Sequence, residues 1–125
     1  MYRDEIGLPK IGEGWIIETE LFYKIKNAFS DYEVIHHGKP EWLGRQHIDI
    51  YFPSLNIGIE YQGLQHHEPV EYFGGKEALQ KNLERDARKR KLCEINNCFL
   101  ICVNENFEWD KLILEIKGYI YNTRE

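Results

Sequence analysis

The chain of 125 residues carries 16 Lys and Arg against 21 Asp and Glu, a formal net charge of −5, and 42% apolar residues, the size and composition of one globular domain. Charged residues reach 30% and aromatic ones 14%, and no apolar run approaches the roughly 18–20 residues of a membrane span, so transmembrane, collagen-like and disordered classes are excluded. Net acidity argues against a general nucleic-acid coat protein, although a charge summed over the whole surface says little about one concave face.

Residues 1–14, with Pro9 and three glycines, read as an extended arm, and residues 15–125 as a single domain. From Trp15 to Phe29 the apolar residues Ile17, Leu21, Phe22, Ile25, Ala28 and Phe29 recur at helical spacing, and Ser30-Asp31 ends the pattern. The period then changes to two. Runs around Tyr32–His36, Gln46–Phe52 and Asn56–Gln62 are rich in β-branched and aromatic residues, and Pro53-Ser-Leu-Asn56 makes a hairpin of the last two. Residues 63–75 read as a loop, and Gly74-Gly75 gives way to a long charged helix over 76–95 that Asn96-Asn97 caps. Cys98–Val103 is a continuous apolar run expected to be a central, doubly covered strand, and Phe107–Tyr121 returns to helical spacing. The order is αβββαβα, an α/β sandwich in which helices flank a central sheet on both faces.

Within the hairpin, pairing Phe52 with Ile57 sets Tyr51 against Gly58, Ile50 against Ile59 and Asp49 against Glu60. Directly opposed positions hold their Cβ atoms roughly 4.5–5.5 Å apart. Two carboxylates so close repel, and hard divalent ions such as Mg²⁺ take carboxylate oxygens. On that face His47 opposes Gln62, whereas Ile48, Ile50, Ile57, Ile59 and Tyr61 form the apolar side; a slip of one residue would put both acids into the core. The bland alternative is a pair of solvent-side acids, each bonded to a lysine.

Two further acids face inward by their spacing. At about 100° per residue, Glu18 falls in the arc of Ile17, Leu21, Ile25 and Phe29, while Glu20 lies opposite with Lys24 and Asn27. A carboxylate there is costly unless paired or metal-associated. On the long helix, Leu79 and Leu83 define a stripe that also carries Asp86 and Arg90. Lys81, Arg85, Arg88, Lys89, Arg90 and Lys91 outnumber Glu84 and Asp86 there, a basic patch suited to phosphate contacts or, more blandly, a solvated face.

His66-His67, after the second hairpin strand, is a candidate proton-transfer or ligand pair; His36-His37 has no clear partner spacing. Five scattered histidines and cysteines at Cys-x4-Cys-x3-Cys do not make a zinc pattern. Three cysteines (Cys93, Cys98, Cys102) cannot pair completely, and the opening Met1-Tyr-Arg-Asp-Glu lacks the order of a secretory leader, so a reducing cytoplasm is expected.

Glu18-Thr-Glu-Leu21, Ile48-Asp49-Ile50, Ile59-Glu60-Tyr-Gln62-Gly63-Leu-Gln65-His66, Arg85-Asp86 through Lys89, and the run CFLICV together resemble the restriction-endonuclease-like, P-D-(D/E)-x-K nuclease superfamily, above all its branch of very-short-patch mismatch repair endonucleases and related homing endonucleases. The resemblance spans about Glu18 to Val103 and implies that superfamily's mixed-sheet core. It implies Asp49 as principal metal ligand, Glu60 as second carboxylate, Glu18 as the helix-one acid, His66 as an acid/base or phosphate-contacting group, and Asp86 as an acid found after the loop in related homing enzymes. Gln62 stands where the motif has lysine, and a glutamine amide carries no positive charge; Lys89 is a candidate substitute.

The implied activity is an endodeoxyribonuclease dependent on Mg²⁺ or Mn²⁺, with Asp49 and Glu60 on the metal, Gln62, His66 and His47 around it, and Arg85, Arg88, Lys89 and Arg90 on the DNA backbone. Double-strand cutting by so small a domain would call for a homodimer or an additional DNA-recognition domain; no membrane partner is expected. The alternative is a nucleic-acid-binding or interaction module on the same fold whose catalysis went with the lysine.

Overall fold

The computed structural model describes residues 11–62 and 75–123; residues 1–10 of the expected arm, residues 63–74 of the expected loop and the expected site residue His66 lie outside the described residues. Among these residues the elements follow the expected order. They are α1 (Ile11–Ala28), β1 (Ile35–Gly38), a 3-10 turn (Glu41–Leu43), β2 (Ile48–Phe52), β3 (Ile57–Gln62), α2 (Gly75–Ile95), β4 (Phe99–Asn104) and α3 (Trp109–Thr123). None of these helices is long and apolar enough to cross a membrane.

The four strands form one mixed sheet in the order β1-β2-β3-β4, antiparallel between β1 and β2 and between β2 and β3, parallel between β3 and β4. A parallel neighbour needs a crossover, which α2 supplies. The hairpin closes as its sequence dictates: Phe52 pairs with Ile57, Tyr51 with Gly58 and Ile50 with Ile59. Asn56 takes a left-handed φ of 55°, and its N–H donates to the Phe52 carbonyl at 2.8 Å. Its side chain accepts from the Tyr51 hydroxyl at 2.8 Å and donates to the Asn96 carbonyl at 2.9 Å, fixing the end of α2 to the turn. Asn97, at φ 57°, ends α2 in a Schellman arrangement, with the Cys98 N–H donating to the Cys93 carbonyl at 2.7 Å.

One sheet face buries Ile50, Phe52, Ile57, Ile59, Ile101 and Val103 against Leu21, Phe22, Ile25 and Phe29 of α1 and Leu112, Ile116 and Ile120 of α3. The other face carries a smaller cluster of Leu43, Ile48, Tyr51, Cys93 and Cys98, with Trp42, Leu92 and Leu100 against it, under α2 and the 3-10 turn. Helices therefore cover both faces of the sheet.

Several local expectations are corrected. α1 begins at Ile11, so residues 11–14 are helical rather than part of an arm, and β1 lies at Ile35–Gly38 rather than 32–36. Among the described residues β4 is an edge strand, not a central one; its apolar run serves both clusters through Phe99, Leu100, Ile101 and Val103, while Cys102 is exposed. The stripe through Leu83 and Arg90 does not face inward: Leu83 is 48% exposed and Arg90 lies at the surface. The inward row of α2 is Asn82, Asp86, Lys89 and Cys93, one step around the helix and polar over most of its length. Ile48 leaves the face of Ile50 and joins the α2-side cluster, so the alternation of β2 breaks at Asp49.

Candidate functional site

The break at Asp49 is where the polar side chains gather. The β2–β3 ladder is regular up to Ile50 and Ile59. Beyond it the two acids take over the backbone donors: the Asp49 N–H donates to Glu60 Oε2 at 2.7 Å and the Tyr61 N–H to Asp49 Oδ2 at 2.9 Å. The β1–β2 register is likewise regular through Ile35–Tyr51, His36–Ile50 and Gly38–Ile48, which sets His37 level with Asp49. His37 sits at φ 58°, a left-handed conformation sparsely used by non-glycine residues and often found at functional sites.

Asp49 and Glu60 are 9% and 8% exposed. The Lys89 ammonium reaches down from α2 to Glu60 Oε1 at 2.6 Å, both side chains nearly buried. On the other side, His47 Nε2 lies 3.4 Å from Asp49 Oδ1. Burial, reinforced by the charge on Glu18, pushes the Asp49 carboxyl up to about 6. Burial and the neighbouring Asp49 raise Glu60 as well, against the pull of Lys89. Burial and the His37 and Lys89 charges lower the His47 imidazole. Two carboxylates thus share a buried site with one lysine, and shifted titratable groups of this kind cluster at functional sites.

Glu18 does face inward, and its Oε2 is 2.6 Å from Nε2 of both His36 and His37. The His36 ring stacks on Phe22 with centroids 4.9 Å apart, and the His37 ring lies between His36 at 4.0 Å and His47 at 4.6 Å. Glu18, His36, His37, His47, Asp49, Glu60 and Lys89 therefore make one continuous polar row across α1, three strands and α2. Within it Glu18/His36/His37 and His37/His47/Asp49 are both sets that can hold a metal ion. The three described histidines thus cluster, and His36 and His37 are candidate-site residues that sequence reasoning missed. Glu18 held the clue, since an inward carboxylate demands a partner.

The other expected residues disperse. Gln62 is half-buried at the end of β3 beside Asn104; no pairing with His47 extends the ladder. Asp86 is half-buried on the side of Cys102, whose thiol its charge helps to raise. In the basic patch Lys81, Arg85, Arg88, Arg90 and Lys91 are exposed and Lys89 is half-buried. Arg88 Nη1 donates to the Leu43 carbonyl at 3.1 Å and to Gln46 Oε1, tying α2 to the 3-10 turn. The Arg85 carbonyl accepts from Gln46 Nε2 at 3.0 Å while its side chain is exposed, and Arg90 lies 3.9 Å from the Cys102 sulfur. Cys93 and Cys98 are buried thiols, with Cys98 raised because its thiol donates a hydrogen bond to the Cys93 sulfur and because it is buried.

The chain is 38% identical over 76 residues to uncharacterized protein 307L of Invertebrate iridescent virus 6, covering 60% of this chain and 36% of that protein. It is 40% identical over 75 residues to uncharacterized protein 094L of Frog virus 3, covering 58% of this chain and 44% of that protein. Uncharacterized protein 033L of Invertebrate iridescent virus 3 is 38% identical over 55 residues, 43% of this chain and 28% of that one. The chain thus spans less than half the length of these viral proteins. No family model matches the chain, and no solved structure matches it significantly.

Proposed function

We propose that this domain is a metal-dependent nuclease with a restriction-endonuclease-like core that hydrolyses DNA phosphodiester bonds. One observation carries the reading: Asp49 and Glu60 lie buried on adjacent strands with the Lys89 ammonium 2.6 Å from Glu60. The strand position of the motif's lysine is Gln62, and Lys89 delivers the cation from α2 instead. The mixed sheet, with a hairpin bearing both acids and a helical crossover to a parallel strand, supports the same reading.

Two buried carboxylates against one lysine leave the site negative, and their oxygens are the donors that Mg²⁺ or Mn²⁺ takes. A divalent ion bound by Asp49 and Glu60 would supply an activated water and offset the charge developing at phosphorus. The chain's own residues do the rest. Lys89 fixes the Glu60 carboxylate and places a proton-bearing cation beside it, as electrostatic stabilisation of a phosphoryl centre requires. The Tyr61 and Asp49 N–H groups hold the two carboxylates in one orientation each. His47 stands on the open side of Asp49, placed to move a proton. Exposed Lys81, Arg85, Arg90 and Lys91 grip the phosphate backbone.

Cleavage of supercoiled plasmid with Mg²⁺ or Mn²⁺ tests this. Nicking that EDTA abolishes, and that Asp49→Ala and Lys89→Met each reduce by at least about a hundredfold, is the expected outcome. A folded wild-type protein that cuts with neither metal overturns it and leaves the binding module, which gel shift with the same DNA would detect. Normal cutting by Asp49→Ala would remove this site from the reaction.

A further inference from the structure

Successive side chains of a β-strand point to opposite faces, so two neighbouring strand residues do not ordinarily meet one atom. His36 and His37 do: both Nε2 atoms lie 2.6 Å from the same Glu18 Oε2. The left-handed φ of 58° at His37 makes this convergence possible, and β1 bears that strain between two regularly paired positions, His36 and Gly38. Strain of this kind is unfavourable and persists where its surroundings enforce it. Two surface imidazoles would satisfy one carboxylate without it. Phe22 stacks on the His36 ring and so fixes its plane, as preorganised ligands require.

We infer that Glu18, His36 and His37 form a binding site for one divalent transition-metal ion of the zinc type, separate from the Asp49–Glu60 pair. Two imidazoles and a carboxylate are the donor set of zinc sites that keep an open fourth position. Magnesium, which takes oxygen ligands and keeps its waters, is a poor match for the same set. Each imidazole Nε2 stands 2.6 Å from Glu18 Oε2, closer than the roughly 3.4 Å edge of a tetrahedron with about 2.1 Å bonds, so a displacement of the Glu18 carboxylate by about 1 Å admits the ion. His37 also belongs to the neighbouring set with His47 and Asp49, so the test has to tell the two sets apart. The inference does not rest on the nuclease reading, because it concerns binding alone.

Titration of tag-free, chelator-stripped protein with Co²⁺, followed by its visible absorption, and with Zn²⁺ by calorimetry tests it. In excess Mg²⁺, which competes for the Asp49–Glu60 pair, one equivalent of Co²⁺ should bind, with a nitrogen- and oxygen-ligated spectrum. His36→Phe retains the stack on Phe22, and His37→Gly suits the left-handed backbone; both folds are checked by circular dichroism. Each should weaken Co²⁺ binding by at least about tenfold, whereas Asp49→Ala should leave it within about threefold. Absence of saturable binding overturns the inference. So does a thiolate-to-cobalt charge-transfer band, which would assign the ion to Cys93 and Cys98, or a loss confined to Asp49→Ala, which would assign it to the His47/Asp49 set.

Discussion

The two ends of the β2–β3 hairpin are made of the same strands and are about equally buried, yet they are held together in opposite ways. At the turn end, Ile50, Phe52, Ile57 and Ile59 are fully enclosed and the backbone ladder is unbroken. At the open end, directly beyond the Ile50–Ile59 pair, the ladder stops and carboxylates replace carbonyls as acceptors for the Asp49 and Tyr61 N–H groups. Burial of the first kind stabilises by about 25 cal/mol per Å² of apolar surface. Burial of the second kind costs energy unless every charge is matched. Burial raises the carboxyl groups of Asp49 and Glu60, so the match is incomplete at the open end.

The largest expected effect lies at the turn end. Phe52→Ala removes a fully buried ring packed edge-to-face on Phe29 and should cost about 3–5 kcal/mol in urea unfolding; a loss below about 1 kcal/mol would show that the turn end is not the stabilising half. Next comes Lys89→Met. It leaves Glu60 as an uncompensated buried acid and should cost about 2–4 kcal/mol at pH 7, most of which adding Glu60→Gln should restore. If the double variant is no better than the single one, the lysine acts by packing and the contrast in charge is misplaced.

Much of the turn end is legible in the sequence because it depends on local pattern: period-two alternation, the Pro53–Asn56 turn and a register that keeps apolar residues inside. The residues of the open end are harder to read. Asp49, Glu60 and Glu18 stand out as acids on or beside apolar faces, but their partners come from elsewhere in the chain. Lys89 is four residues before Cys93 on a helix so charged that no apolar stripe phases it, which is why Leu83 and Arg90 read as inward and Lys89 did not. His36 and His37 follow a strand rule in the sequence, and the left-handed residue that breaks the rule is neither Gly nor Asn. Ile48 reads as core on the wrong face for the same reason, since a break in alternation leaves no local mark.

Asp49→Asn is the third test and runs in the opposite direction. A carboxyl raised to about 6 binds its proton more tightly in the folded than in the unfolded chain. Its relative stabilisation is therefore complete below the ordinary aspartate range and lost as pH rises through about 6. Glu60, also raised, acts with the same sign. In metal-free protein, stability should accordingly fall between pH 4.5 and pH 7, roughly the interval between the ordinary carboxyl range and these raised groups. Asp49→Asn keeps an acceptor for the Tyr61 N–H and removes the charge, so it should stabilise the domain by about 1–3 kcal/mol at pH 7 and flatten that slope. An unchanged slope would mean that Asp49 is ionised as easily folded as unfolded, and the two ends would no longer differ in kind.

The smallest effect comes where the two ends touch. Gly58 pairs with Tyr51 in the regular ladder, and a Cβ built on it would stand 2.9 Å from Ile48 Cγ2 and 3.1 Å from Leu100 Cδ1. Ile48 leans there only because β2 changes face at Asp49. Alanine in a strand gains about 0.5 kcal/mol over glycine through chain entropy, but overpacking a stiff β-branched neighbour costs about 1–3 kcal/mol. Gly58→Ala should therefore destabilise by a net of about 1 kcal/mol by thermal unfolding. Combined with Ile48→Ala, which clears the contact, it should cost less than the sum of the two single changes. Strict additivity, or a stabilised Gly58→Ala, would return Ile48 to the face of Ile50 and make the alternation continuous through Asp49. The carboxylates would then be ordinary cross-strand neighbours, and the open end would lose the irregularity that sets it apart.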